Sequence, residues 1–279
     1  MKNFQNVYRF LTTVLPAPSL DPCQNNPVKI HRNVAYSPNT KGALLDLFTP
    51  EGNDLNPTLI MLHGGGWISG DKSSFHDEAA FFASQGIACA CIAYRLAPLH
   101  PFPAACDDVL TSVKFLRENS KEFNLDPKRL VAFGNSAGGH LSCIAGLQQS
   151  DSQGNPAENV NGVITICPIT DIRNPQETQY PISMSFLEQF MDCSYSQFPE
   201  KYADASPITH INENAPPFLI FHGDSDDIVP PEQSKDLYVH LCQAGIPAEY
   251  HSLPGEGHSF TMESWLHIRD LSLEFVRTL

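Results

Sequence analysis

A serine set between glycines at the end of a short apolar run is the first group in this chain that could do chemistry. Gly134-Asn135-Ser136-Ala137-Gly138 has the form G-x-S-x-G. Leu130–Phe133 before it has strand length and β-favouring residues, and the stretch from Ala137 to Leu147 has helical spacing. A strand-to-helix turn this sharp needs small residues two positions either side of the serine, because side chains there would strike the neighbouring strand or helix. The turn lifts the hydroxyl out of the sheet and aims it at the positive end of the new helix. A serine hydroxyl is a weak nucleophile at neutral pH and needs a base beside it, itself oriented by an acid. In this setting the acid and then the histidine should follow the serine along the chain.

Seven histidines follow Ser136, and His258 is the best placed. It lies in Gly255-Glu256-Gly257-His258-Ser259-Phe260, a loop after the last predicted strand, where an imidazole can reach over the strand ends. His240 and His267 fall in helical stretches, His251 inside a strand, and His140 in the helix after the serine. The acid should come from the loop His222-Gly223-Asp224-Ser225-Asp226-Asp227-Ile228-Val229-Pro230. Three aspartates compete there. Asp224, nearest the strand end, reads as a brace for the turn, and Asp227 abuts the apolar Ile228-Val229. That favours Asp226, but spacing alone does not choose among the three. An acyl-transfer intermediate also carries an oxyanion, and His63-Gly64-Gly65-Gly66 allows backbone to approach it without β-carbons in the way. The N–H groups of Gly65, Gly66 and Ala137 would make a three-donor hole. Trp67, next in the chain, would form a wall of the substrate site.

These residues need a sheet to hold them. Val28–Tyr36 and Ala43–Phe48 read as early strands joined by hairpin chemistry at Pro38–Gly42. Thr58–Leu62, Ile87–Tyr94, Leu130–Phe133, Val163–Cys167, Phe218–Phe221 and Glu249–Leu253 continue the series. Helices are predicted over Phe75–Gln85, Ala104–Asn119, Ala137–Leu147, Glu232–Gln243 and Phe260–Leu279. Strand, crossover helix and strand in alternation give an α/β class with a mainly parallel central sheet and helices on both faces. The rhythm breaks between Pro168 and Pro216. A small cap insertion at about 170–215 on a single 1–279 domain is expected, above the carboxyl ends of the strands where open sheets bind ligands. Met184, Phe186, Phe190 and Met191 would then sit over the site.

Composition bounds the alternatives. At 279 residues, 42% hydrophobic and 17% charged, the chain suits one soluble α/β domain. A net charge of −14 disfavours a nucleic-acid or anionic-membrane surface. Nothing approaches about 18 uninterrupted apolar residues, and the N-terminal run is a poor signal peptide, so no stable membrane association and a cytoplasmic location are expected. Cys89, Cys91, Cys143 and Cys167 fall in apolar runs and read as small buried hydrophobes, while Cys23 and Cys193 could pair. There is no C-x-x-C and no H-E-x-x-H, so neither a metal nor another cofactor is expected.

At this point the chain resembles the α/β-hydrolase superfamily, from about residue 30 onward. Within it, the chain is most similar to carboxylesterases of the acetyl-xylan/feruloyl-esterase-like and hormone-sensitive-lipase-like groups. His63-Gly64-Gly65-Gly66-Trp67-Ile68-Ser69-Gly70-Asp71-Lys72 matches their oxyanion segment. Tyr94-Arg95-Leu96-Ala97-Pro98 with Phe102-Pro103-Ala104-Ala105 matches the segment before the crossover helix. His222-Gly223-x-x-Asp226-x-x-Val229-Pro230 matches their acid loop and places the acid on Asp226, and Gly257-His258-x-Phe260 matches the histidine loop. Asn135 departs from the Asp or Glu usual before the serine in the lipase-like group. The resemblance implies an α/β-hydrolase fold and a serine carboxylesterase with a Ser136-His258-Asp226 triad, no cofactor and a small-molecule ester as its partner. An arylformamidase-like amide hydrolase would use similar parts. A non-catalytic binding protein on the same fold would normally lack a triad member, and here all three residues are present.

Overall fold

The strand residues alternate between two apolar layers, and that alternation builds the molecule. Ile60 and Leu62 share one core with Ala90, Ile92, Ala132, Val163 and Ile220. Leu59 and Met61 share the other with Cys89, Cys91, Phe133, Ile164 and Phe221. Successive side chains of a strand point to opposite faces, so strands that are apolar throughout need a covering layer on each side. In the computed structural model, residues 26–38, 40–52 and 54–279 are described. The expectations for the N-terminal segment, including Cys23, lie outside them.

The strands are β1 (Val28–Ala35), β2 (Leu44–Pro50), β3 (Asn56–Leu62), β4 (Ala88–Ile92), β5 (Leu125–Asn135), β6 (Gly162–Ile166), β7 (Phe218–Gly223) and β8 (Ala248–Leu253). They form one eight-stranded sheet in the order β1-β2-β4-β3-β5-β6-β7-β8. β2 runs antiparallel to both β1 and β4, and the other neighbours are parallel. The helices are α1 (His76–Ser84), α2 (Ala104–Glu118), α3 (Ala137–Leu147), α4 (Pro175–Thr178), α5 (Pro181–Met191), α6 (Pro199–Asp204), α7 (Glu232–Gln243) and α8 (Met262–Thr278). Buried residues of α2, α3 and α7 join the first core, and those of α1 and α8 the second. This is the α/β-hydrolase fold. Among the described residues, no helix is long and apolar enough to cross a membrane. Cys89, Cys91, Cys143 and Cys167 are free and buried, as their apolar settings suggest.

Two elements differ from the sequence expectation. β5 begins at Leu125, five residues before the apolar run, because Leu125 pairs with Asn56 ahead of a register shift; the apolar residues mark only its buried half. The helix expected from Phe75 starts as a 3-10 turn, Lys72–Phe75, with the Asp71 carboxylate accepting from Ser73 N–H. Lys72 then reaches the buried Asp46 of β2 at 2.6 Å. This ion pair fastens the end of the glycine turn to the sheet.

Between Pro168 and Pro216 the chain leaves the sheet and forms α4, α5, α6 and a short 3-10 turn, Pro207–His210. The excursion is anchored at its start and along α5. Thr170 and Asp171 N–H groups donate to Gln233 Oε1 of α7 at 2.7 and 2.8 Å, and Ser183 Oγ donates to Ile228 O at 2.5 Å. Phe102 N–H donates to Phe190 O at 2.7 Å, tying α5 to the segment before α2.

The tightest approach in the fold is at the turn from β5 to α3. A β-carbon on Gly138 would lie 1.9 Å from Leu62 O, and one on Gly134 would lie 2.3 Å from Gly138 O. Both obstacles are backbone, which cannot swing aside as a side chain can. Gly138→Ala should therefore cost at least about 3 kcal/mol, the upper end of overpacking penalties. Gly86→Ala, with φ of +87° but open space around it, should cost only about 1–2 kcal/mol for the left-handed backbone. Urea unfolding of the two variants checks the order, and equal midpoints would refute it.

Candidate active site

Ser136 occupies the crest of the turn with φ 55° and ψ −122°, a conformation that L-residues seldom adopt. Such strain costs about 1–3 kcal/mol and persists only where the surroundings over-determine it. Here they do: Ser136 N–H donates to Ile166 O of β6 at 2.9 Å, and the two glycines admit no other packing. Ala137 opens α3, so its N–H has no partner within the helix.

His258 and Asp226 meet this serine. His258 Nε2 lies 3.0 Å from Ser136 Oγ, and His258 Nδ1 lies 2.7 Å from Asp226 Oδ2. Asp226 Oδ1 accepts from the N–H groups of Ile228 and Val229, both at 2.9 Å. A second imidazole approaches Asp226 Oδ2: His222 Nε2, at 3.2 Å, which also lies 3.1 Å from Val229 O. Ser234 Oγ sits 2.7 Å from the other His222 nitrogen. Burial works against charge on Asp226, but the hydrogen bonds from His222 and His258 outweigh it and hold the carboxyl well below the usual range. Burial also works against a His258 cation, yet Cys167 and the Asp226 carboxylate outweigh it and raise the imidazole's proton affinity.

The two loops carrying Asp226 and His258 are locked together. Asp224 Oδ1 accepts from Gly255 N–H at 2.7 Å, and Ser225 N–H donates to Glu256 O at 2.9 Å. Asp224 is thus a brace, as its place in the loop suggested, and Asp227 is exposed. The buried Glu256 carboxylate accepts from Thr261 N–H at 2.9 Å and from the Thr261 and Ser264 hydroxyls at 2.5 Å each. It pins the histidine loop to the start of α8. Sequence reasoning passed over Glu256, although a carboxylate five residues before a Thr N-cap is a legible signal.

The glycine turn faces the serine from β3. Ile68 N–H, Ser69 N–H and Ser69 Oγ all bond back to Gly65 O, which uses the carbonyl of Gly65 and not its N–H. A β-carbon on Gly65 would meet Ser69 O at 2.2 Å, and one on Gly66 would meet the Phe186 ring at 3.0 Å. His63 stacks on Tyr94 at 4.2 Å, and Tyr94 Oη donates to His63 O at 2.7 Å. Burial pushes the His63 pKa down to about 4, so the ring behind the turn stays neutral.

Ser136, Gly66 and Trp67 line one pocket with Ile169, Phe186 and Leu187. Space open to the centre of a water-sized sphere amounts to about 20 Å³. Of the bulky residues expected over the site, Phe186 lines it, Phe190 stacks behind Trp67, and Met191 lies in the core. Met184 is a correction: it lines a separate cavity with Glu188 and Tyr195, because α5 turns it to the opposite flank. Cys167 Sγ, an Asp226 oxygen and a His258 nitrogen lie within 4.8 Å of one another. Such donors suit a thiophilic cation, but a metal there would take up groups that already bond to each other.

A carboxyl depressed by folding stabilises the native state above its unfolded pKa of about 3.9. That contribution is lost as pH falls through the lower folded value. The unfolding free energy of the wild type should thus decline below about pH 4, and Asp226→Asn, which cannot titrate, should flatten that limb. Urea titrations at a series of acidic pH values measure both slopes. Superimposable acid limbs would show that Asp226 is not the group responsible.

Comparison with known proteins accords with this geometry. The BD-FAE family model matches residues 45–241. Esterase LipC of Mycobacterium tuberculosis is 32% identical over 245 residues, which cover 84% of this chain and 60% of LipC. An ethyl acetate hydrolase of Pseudomonas putida is 30% identical over 212 residues, 72% of this chain and 65% of that enzyme. The chain spans less than two thirds of the length of these curated relatives. In three dimensions it is similar to a truncated carbohydrate esterase from gut microbiota, with a TM-score of 0.77 and 22% identity, covering 94% of this chain and 99% of that one. The chain belongs to the BD-FAE family.

Proposed function

We propose that this protein is a serine carboxylesterase that hydrolyses small, short-acyl esters through an acyl-enzyme on Ser136, without a cofactor. The observation that carries this reading is the run of hydrogen bonds from Asp226 through His258 to Ser136 Oγ, ending at a pocket beside the glycine turn. The names of the two relatives, an esterase and an ethyl acetate hydrolase, support it.

In the first step Ser136 Oγ bonds to the ester carbonyl carbon while His258 Nε2 takes the hydroxyl proton. Asp226 holds the Nδ1–H and stabilises the imidazolium that forms. The carbonyl electrons move onto oxygen, where the N–H groups of Gly65, Gly66 and Ala137 receive the negative charge. Each such donor is worth about 3 kcal/mol of barrier. The carbon–oxygen bond to the alcohol then breaks, and His258 gives the leaving oxygen its proton. Water repeats the sequence on the acyl-enzyme and frees the acid. Each proton in this cycle has a protein group to hold it. Residues 168–216 serve as a small cap: α5 sets Ser183, Phe186 and Leu187 over the serine.

The decisive experiment uses Ser136→Ala. Wild type should turn over a short-chain aryl ester and be labelled by a fluorophosphonate, and the variant should do neither while keeping its melting temperature. A folded Ser136→Ala protein with a tenth of the wild-type rate removes the assignment, since loss of a nucleophile costs orders of magnitude. An N-formyl aryl amine assayed in parallel separates ester from amide hydrolysis, and preference for the amide overturns the ester reading.

Pocket size bears on the acyl group. The pocket beside Ser136 is narrow and walled by Trp67, Phe186 and Leu187, which leaves room for a short acyl chain. Values of kcat/KM should peak at about two to four acyl carbons and drop by eight, because a pocket discriminates by about 10–200-fold per misfitting methylene. A steady rise through octanoate and decanoate esters would overturn the short-slot reading.

A further inference from the structure

The Trp67 ring is held from behind by contacts that ester hydrolysis does not use. Its face stacks on Phe190 of α5, with centroids 4.3 Å apart and planes 12° from parallel. Its edge meets the His140 ring at 89°, and its indole N–H donates to His140 Nδ1 at 3.2 Å. His140 lies one turn along α3 from Ser136 and has no exposed surface. Its Nε2–H donates to Ala205 O at 2.8 Å, just beyond α6. One neutral imidazole, accepting at one nitrogen and donating at the other, therefore joins three parts of the molecule: the helix behind the nucleophile, the residue after the glycine turn, and the 168–216 excursion. Burial pushes its pKa down to about 4, which keeps that bonding pattern intact across the neutral range.

A histidine buried in a helix can be a mere filler of the core, but the bonding here goes further. Both of its ring bonds leave its own helix, one ending on a residue that lines the pocket and the other on the segment that covers it. Trp67 also has a φ of +60°, which side-chain-bearing residues avoid, so its ring direction needs outside support. Phe190 supports it by area alone and would allow the indole to slide in its plane. The bond to His140 removes that freedom.

We propose that His140 is a positioning residue for acyl selection: it pins the Trp67 indole as the floor of the acyl pocket and ties that floor to the Ala205 segment. Acyl length is then limited by a buried hydrogen bond behind the pocket as well as by the side chains that line it. The proposal rests on the esterase reading for its substrate, but the ring-holding role can be measured without turnover.

Three variants test it: His140→Leu, which fills the volume without either bond; His140→Gln, whose amide can accept and donate as the imidazole does; and Trp67→Phe, which keeps a ring and loses the N–H. With a series of aryl esters from acetate to octanoate, His140→Leu should raise the octanoate-to-acetate ratio of kcat/KM by about tenfold. The change should come through KM more than kcat, and His140→Gln should restore most of it. Trp67→Phe should shift the ratio the same way, and His140→Leu added to it should do less than it does alone, because both remove the Trp67–His140 bond and only the loss of the Ala205 tie is new. Trp67 is one of two tryptophans, so Trp265→Phe isolates its fluorescence. In that background His140→Leu should make Trp67 more open to acrylamide quenching, and His140→Gln should reverse this.

An unchanged ester ratio and unchanged quenching in His140→Leu overturn the proposal, as does full additivity with Trp67→Phe. Should His140→Leu fail to fold, an unchanged ratio in Trp67→Phe overturns it. If wild type hydrolyses no ester, the function reading fails, and quenching still decides whether His140 holds the ring.

Discussion

Leu62 O lies where a β-carbon on Gly138 would have to be, and that contact governs how the site is assembled. β3 and β5 are neighbours, with Leu62 paired to Gly134 at their last register position. The chain leaving β3 becomes the glycine turn, and the chain leaving β5 becomes the serine turn and α3. α3 thus starts pressed against the end of β3, and Gly64 of the glycine turn packs against Asn135 beside the serine. A bulkier residue at either glycine of the serine turn would separate α3 from β3 and pull the N–H groups apart. Packing at one backbone crossing thus sets the spacing between the nucleophile and the candidate oxyanion donors.

Asp226 and His258 come from the loops after β7 and β8, further along the sheet, and polar locks hold the two loops to each other. β7 and β8 each end in a loop, and each loop buries one apolar residue, Val229 and Phe260. Asp224, Ser225 and Glu256 supply hydrogen bonds between and beneath these loops.

How much of this was legible depended on the range of each interaction. G-x-S-x-G, the His63–Gly66 glycines and the loop around Asp226 and His258 are local patterns whose geometry follows from a few adjacent residues. The structure brings those residues together, and the strand series was readable for the same reason. β5 shows where local reading stops: Asp126, Pro127, Lys128 and Arg129 are exposed or only half-buried, so they break the apolar run and hid the pairing of Leu125. Partners far apart in sequence were invisible. Trp67 and His140 are 73 residues apart, and His140 and Ala205 are 65 apart. Nothing near His140 in the chain says that it faces a tryptophan and not solvent. Met184 went astray because helix α5 could be read but not its rotation, which puts Phe186 over the serine and Met184 on the opposite flank.

Four histidines crowd the carboxyl ends of the central strands, and their hydrogen bonds separate their roles. His63 donates from Nδ1 to Gly64 O, 2.8 Å away, and is held neutral by burial; His140 is held neutral in the same way between Trp67 and Ala205. His222 can receive the Ser234 hydroxyl proton at Nδ1 and donate from Nε2 toward Val229 O and Asp226. In that arrangement its N–H points at the carboxylate that His258 also contacts. His222 and His258 each have a carboxylate on one nitrogen and a hydroxyl on the other, and of the two only His258 touches Ser136. A cation formed on His258 faces the Asp226 carboxylate 2.7 Å away, whereas one formed on His140 would lose the nitrogen that accepts from Trp67. In a buried site, where charges interact more strongly than in water, that contrast favours a proton on the ring that touches Ser136 over one on the ring behind Trp67.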